Sequence, residues 1–225
     1  VAIRKHNIML VVDTGRNMAA TTRLGDSKRD VAIMTAGIIG HIALKNGDLV
    51  GMVAADNLRP RHFQTKGDYR HLESILQFVQ TSTTLERSHP STNLEHSLEF
   101  ITRSLRKKMM LVIVADERPL TEREQQLLRR LRAQHEILWA SISDASGIDD
   151  STSWFDIDDR TLLLGSLQQN QQLVREFAQA EAYNANEHGR VLDRLGVAHG
   201  VIGGDADVVS GLYKLLQAQR HVGRH

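Results

Sequence analysis

Asp13, Thr92 and Asp116 are the residues of this chain whose types and places could do chemistry together. Asp13 stops the apolar run Ile8-Met9-Leu10-Val11-Val12, and Asp116 stops the run from Met109 to Ala115. Thr92 opens the helical pattern that leads into the second run. Two carboxylates and a hydroxyl offer only oxygen, which suits a hard cation such as Mg²⁺. Each residue also has a plain structural use. Thr92 with Glu95 reads as a capping box, Asp13 can accept backbone N–H groups of the loop after it, and Asp116 can brace the loop to Thr121. Taken singly, each residue leaves both uses open. Taken together at one sheet edge, the three favour a ligand site, intact or decayed.

Other chemistries fit less well. Asp13-Thr14-Gly15 is the triplet of aspartic proteases, but two such aspartates on an all-β fold are needed to share a proton, and this pattern is rich in helices. A phosphotransferase of the haloacid dehalogenase type also places an aspartate after its first strand. It wants a second acid two residues on, where this chain has Gly15. An Mg-dependent phosphotransferase or phosphatase using Asp13 therefore stands as the alternative function. There is no Gly-x-x-x-x-Gly-Lys loop, and Gly200 to Asp205 lacks the spacing of a dinucleotide site. The eleven histidines form no His-Glu-x-x-His pair, and no Gly-x-Ser-x-Gly elbow occurs. With no cysteine, disulfides, thiolate chemistry and cysteine zinc sites are excluded.

The elements that must position these residues follow from hydrophobic periodicity. Ile8–Val12, Leu49–Ala54, Met109–Ala115 and Ile137–Ile142 read as strands, the continuous apolar ones buried on both faces of a parallel sheet. Leu58 to Phe63 reads as a short edge strand broken by Pro60. Ser27 with Asp30 resembles a capping box, before a helix whose apolar positions are Val31, Met34, Ile38 and Ile42 and which Asn46-Gly47 ends. Further helices carry Leu72, Ile75, Leu76 and Val79, then Leu94, Leu98, Ile101 and Leu105, then Leu127, Leu128 and Leu131 behind the Thr121–Glu124 capping box. The order predicts an α/β fold, a mainly parallel sheet with helices on both faces in a Rossmann-like three-layer sandwich. Residues 144–160 read as a loop with a short strand near Trp154-Phe155. A long helix from about Ser166 to Arg194, ended by Gly196, a strand Val197–Ile202 and a closing helix from Asp205 to Arg220 follow. We expect a single domain over 1–225, with its core at about 1–145 and a helical extension at about 160–225.

The segment Val11-Val12-Asp13-Thr14-Gly15-Arg16-Asn17-Met18 resembles the metal-ion-dependent adhesion site of von Willebrand factor A domains, which reads Asp-x-Ser-x-Ser, often followed by Met. The family's separate threonine matches Thr92 and its later aspartate matches Asp116. The segment Gly47-Asp48-Leu49-Val50-Gly51-Met52 is similar to the family's second strand with its lead-in. The nearest subgroup is the bacterial domain-of-unknown-function 58 proteins, which the ending Leu195-Gly196-Val197 with a closing helix also resembles. The resemblance implies a Mg²⁺ site of Asp13, Asn17, Thr92 and Asp116, and a MoxR-type AAA+ ATPase as partner. Both serines of the motif are replaced: Gly15 has no side-chain oxygen and Asn17 offers a neutral amide. Mg²⁺ demands near-ideal octahedral geometry, so weak or lost metal binding is expected.

The expected function is a non-catalytic protein-recognition module. Its rim would comprise Thr14 to Arg23, Arg87 to Thr92 and Glu117 to Pro119, with Arg16 and Arg118 meeting carboxylates of a partner. Replacing either arginine is expected to leave the melting temperature unchanged. The net charge of +1 gives no field for nucleic acid. The clusters Arg103, Arg106, Lys107, Lys108 and Arg129, Arg130, Arg132 interleave with leucines, as solvated helix faces do. No apolar run reaches the roughly 20 residues that span a bilayer, and no signal peptide is visible. The expected location is cytoplasmic, with any membrane tether supplied by regions outside this chain. The chain opens at Val1 without an initiator methionine, so it is expected to be part of a longer protein.

Overall fold

The computed structural model describes residues 5–22, 24–55, 60–83, 92, 94–143 and 171–222. In chain order the elements are β1 (Asn7–Val12), α1 (Lys28–Lys45), β2 (Leu49–Ala55), β3 (Pro60–Lys66), α2 (Tyr69–Ser82), α3 (Leu94–Ser104), β4 (Met110–Asp116), α4 (Glu122–Arg132), β5 (Glu136–Ile142), α5 (Gln171–Arg194), β6 (Ala198–Ile202) and α6 (Val208–Val222). The strands form one sheet in the order β3-β2-β1-β4-β5-β6. All neighbours are parallel except β2 and β3.

The alternation along each strand sorts the core into two layers. Ile8, Leu10, Val12, Val112, Val114, Leu138 and Ala140 meet α1, α2 and α6 on one face. Met9, Val11, Leu111, Ile113, Ile137 and Trp139 meet α3, α4 and the end of α5 on the other. Both faces are covered, which is why these strands read as unbroken apolar runs. The three-layer α/β sandwich predicted from the sequence is the architecture observed.

Three details differ from the sequence reading. Pro60 opens β3 rather than breaking it, on an edge strand where its missing N–H costs no ladder bond. The β2–β3 register shifts between Val50 and Met52, beside Gly51. A Cβ at Gly51 would lie 2.5 Å from the Phe63 carbonyl oxygen, so this close approach admits only glycine. The third difference is the buried face of α1. It consists of Val31, Ala32, Thr35, Ala36, Gly40 and Ala43, while Met34 and Ile42 are 38% and 45% exposed. Small residues let α1 lie close to the sheet and to α2, so close packing overrides the larger apolar stripe.

The C-terminal part adds to the same sheet. α5 ends at Gly196, whose φ of 64° suits a helix C-terminus in the left-handed region. β6 then pairs parallel with β5, and the closing helix runs from Val208 after a 3₁₀ turn at Asp205–Asp207. The expected strand near Trp154-Phe155 and the first residues of the expected helix from Ser166 lie outside the described residues.

Candidate functional site

Between β1 and β4 the strand order reverses direction. The chain runs from β1 outward to β2 and β3, then returns to β4 on the other side of β1. In open α/β sheets the crevice beyond the carboxyl ends at such a switch point is where ligands bind. Asp13 follows β1 and Asp116 ends β4 at this point.

The loop after β1 is built from short-range bonds. The Asp13 amide still donates to the Val114 carbonyl at 2.9 Å, continuing the ladder. Its side-chain Oδ1 accepts the Gly15 N–H at 2.9 Å, and a 3₁₀ turn over Arg16–Ala19 follows. Met18 points down into the core and is fully buried, which anchors the turn. A small hairpin, bridged at Thr21 and Ser27, brings the chain to α1. Ser27 caps that helix by accepting the Asp30 N–H at 3.3 Å. Asp30 turns its own carboxylate to Arg29 at 3.1 Å, so the expected capping box is half formed.

Strand alternation sends the two aspartates to opposite sides of the sheet end. Asp13 lies on the α3 side, where its Oδ2 accepts the Thr92 hydroxyl. Thr92 in turn accepts the Leu94 N–H and one Arg118 N–H, each at 3.3 Å. Asp116 lies on the α1 side. Its Oδ1 accepts the Lys28 ammonium at 2.5 Å and its Oδ2 the Asn17 amide at 3.5 Å. Asp13, Asp116 and Lys28 are 1%, 3% and 0% exposed. Arg118 forks onto Glu124, with Nη1 3.1 Å from Oε2 and Nη2 on Oε1. Glu124 also closes its capping box by accepting the Thr121 N–H at 2.9 Å. Burial alone would lower the Arg118 pKa, but Glu124, with Asp13 and Asp116 behind it, holds it above its ordinary value.

The four residues expected around a metal thus fall into two bonded pairs at neighbouring strand ends, Asp13 with Thr92 and Asp116 with Asn17. As arranged, they do not fit a dication. Octahedral Mg²⁺ needs about six oxygens at about 2.1 Å. Here Asp13 and Thr92 are bonded to each other and one Asp116 oxygen is on an ammonium. Gly15 offers no side-chain oxygen, and the Asn17 amide oxygen is buried without a hydrogen-bond partner. Among the described residues, no three His, Asp or Glu side chains converge on one point.

Arg16 lies on the 3₁₀ turn of the same rim, half-buried. Arg118 is also there, but its side chain is only 18% exposed and is committed to Glu124. The expectation that Arg118 can be replaced without loss of stability is therefore corrected, because its removal strands a buried carboxylate. Arg23 and Arg87 lie outside the described residues. Sequence reasoning missed Lys28 and missed the pairing role of Glu124. A lysine in the first helical position, against the helix dipole, was the available signal for Lys28.

A second buried polar pair lies under α5. Ser141 Oγ and His188 Nε2 are 3.1 Å apart, and the imidazole stands edge-on to Trp139 at 5.4 Å. Burial pushes the His188 pKa down to about 4, against the pull of the Arg118 carbonyl. Among the described residues no acid is hydrogen-bonded to this pair, and both residues are sealed from solvent, so it makes no nucleophile–base set.

The family described as "Protein of unknown function DUF58" matches residues 1–149. No curated protein matches the chain. Among solved structures, the chain is similar to the conserved hypothetical protein BatB from Bacteroides thetaiotaomicron, at 9% identity and a TM-score of 0.55, covering 96% of this chain and 99% of that one. An aerotolerance-related membrane protein from Bacteroides fragilis is similar at 14% identity and a TM-score of 0.51, covering 94% and 99%. A von Willebrand factor type A protein from Catenulispora acidiphila is similar at 11% identity and a TM-score of 0.51, covering 98% of this chain and 43% of that one. At these identities the likeness shows the fold, which is of the von Willebrand factor A type.

Proposed function

The chain belongs to the DUF58 family, and we propose that it serves there as a non-catalytic protein-recognition module. The rim at the β1–β4 switch point would be its docking surface. The observation that carries this reading is the state of Asp13. It is buried and holds a backbone N–H on one oxygen and the Thr92 hydroxyl on the other. A phosphotransferase would need that carboxylate presented to a phosphoryl group, so the alternative enzyme reading is the weaker one. What the rim offers instead is a set of loops on a rigid sheet, the arrangement in which recognition usually sits. Arg16 is the residue we assign to a partner's carboxylate, and Arg118 holds the neighbouring loop through Glu124.

The resemblance points to a MoxR-type AAA+ ATPase as the partner. One structural neighbour is called a membrane protein. No described helix is long and apolar enough to cross a membrane, so a tether would belong to other parts of the protein. We propose one domain over 1–225, because β6 joins the sheet that holds β1 and α6 packs on its face. The reading is tested by titrating the domain with a MoxR-type AAA+ ATPase, alongside a phosphatase assay in Mg²⁺. Saturable binding weakened by Arg16→Ala supports it. Phosphate release abolished by Asp13→Asn would replace it with the enzyme reading.

A further inference from the structure

We propose that the Lys28 ammonium is a resident cation, which in this chain neutralises the Asp116 carboxylate and ties the rim loops together in place of a bound metal ion. Lys28 stands on the first residue of α1 and is fully buried. Neither fact has a local cause. A cation at a helix N-terminus opposes the helix dipole, and an ammonium taken out of water loses its hydration. The compensation comes from the end of β4, where Asp116 Oδ1 lies 2.5 Å from Nζ. That carboxylate is nearly as buried as the lysine.

The same residue joins three separate pieces of chain. Its backbone N–H donates to the Ala20 carbonyl at 2.9 Å, fixing the hairpin that follows the 3₁₀ turn. Its side chain reaches across to β4, and the other Asp116 oxygen takes the Asn17 amide from the turn itself. A bound dication would join such pieces by collecting oxygens from each loop. Here position 15 has no side-chain oxygen and position 17 only a neutral amide, and a positive charge already sits on the acid they would share. An ammonium needs only hydrogen-bond acceptors, with no octahedral shell, so it tolerates Gly15 and Asn17 where Mg²⁺ does not. The inference holds whether or not the rim docks a partner, because it concerns how the rim is held together.

The test uses the electron paramagnetic resonance signal of free aqueous Mn²⁺, with thermal melting in parallel, on the whole chain. The unmodified protein should leave Mn²⁺ free and melt at the same temperature in Mn²⁺, Mg²⁺ or EDTA. Lys28→Ala combined with Gly15→Ser and Asn17→Ser should bind Mn²⁺ more than about tenfold more tightly than the unmodified protein. Added Mn²⁺ should also raise its melting temperature, and further substitution Asp116→Asn should abolish both effects. If removal of Lys28 alone prevents folding, the pair Lys28→Met with Asp116→Leu should restore it, since that pair removes the charge and its counter-charge together. Mn²⁺ held by the unmodified protein and lost on Asp116→Asn would overturn the proposal. So would a folded triple variant that leaves Mn²⁺ free. Loss of partner binding with the Mn²⁺ results intact would count against the docking reading alone.

Discussion

The two buried polar pairs on either face of the sheet resolve the same problem in opposite ways. On the α1 side, Lys28 and Asp116 are ions held in contact. On the α5 side, His188 meets the neutral Ser141, an aromatic edge and the Arg118 carbonyl, and burial strips its charge. What separates them is the presence of a counter-charge on the same side of the sheet. Burying an ion costs several kcal/mol unless an opposite charge and hydrogen bonds offset it. Where none is supplied, a titratable group becomes neutral instead.

The comparison breaks most easily at Lys28. Lys28→Met leaves the Asp116 carboxylate buried and uncompensated, and should lower stability by about 3–5 kcal/mol, read from the urea midpoint. Much of that loss should return in Lys28→Met/Asp116→Leu. A single-variant loss below about 1 kcal/mol would show that Asp116 reaches water and that the ionic side of the contrast is wrong.

The neutral side is tested by pH. His188 has a folded pKa of about 4, below the ordinary 6.5. Below pH 6.5 the unfolded chain takes up a proton that the folded chain refuses, so this contribution to stability is full above 6.5. It falls away down to pH 4, where it levels off. The loss should approach about 3 kcal/mol, at 1.36 kcal/mol per pKa unit. Denaturant midpoints across that range should follow this slope, and His188→Gln should flatten it. The His135 pKa is lowered by burial and adds a smaller slope of the same sign.

Arg118→Ala should cost about 2 kcal/mol, because Glu124 is left buried with only the Thr121 N–H and its neighbours to bond. A melting temperature equal to that of the unmodified protein would mean that Glu124 turns out to solvent. At the small end stands Arg123–Glu99, a surface pair at 2.6 Å with Arg123 44% exposed. Arg123→Ala should shift stability by less than about 0.5 kcal/mol. An effect as large as that of Arg118 would show that exposure does not separate these pairs.

The strands, their order of appearance and the two covered faces were legible, since apolar runs closed by Asp13 and Asp116 carry their own signal. The placement of Asp13 and Asp116 at one sheet edge was legible too, because a parallel sheet gathers the carboxyl ends of its strands there. α1 was misread for a physical reason. Periodicity weights Met34 and Ile42 by size, while the sheet selected Ala32, Ala36 and Gly40 for close approach. Lys28 was legible only as a lysine set against a helix dipole, because its burial depends on a carboxylate 88 residues away. Glu124 was half legible: the capping box is a local pattern, but the fork of Arg118 upon it is not.

β1 is paired on one side with β2, close behind it in the chain, and on the other with β4, which begins at Met110. During synthesis, at about 5–20 residues per second, the central strand therefore waits several seconds with one edge open. The rim cannot close until β4 docks, so Lys28 and Asp116 remain hydrated through the early stages of folding. Desolvation of the pair late on the pathway would make Lys28→Met speed unfolding more than it slows folding, read from the two arms of a denaturant chevron.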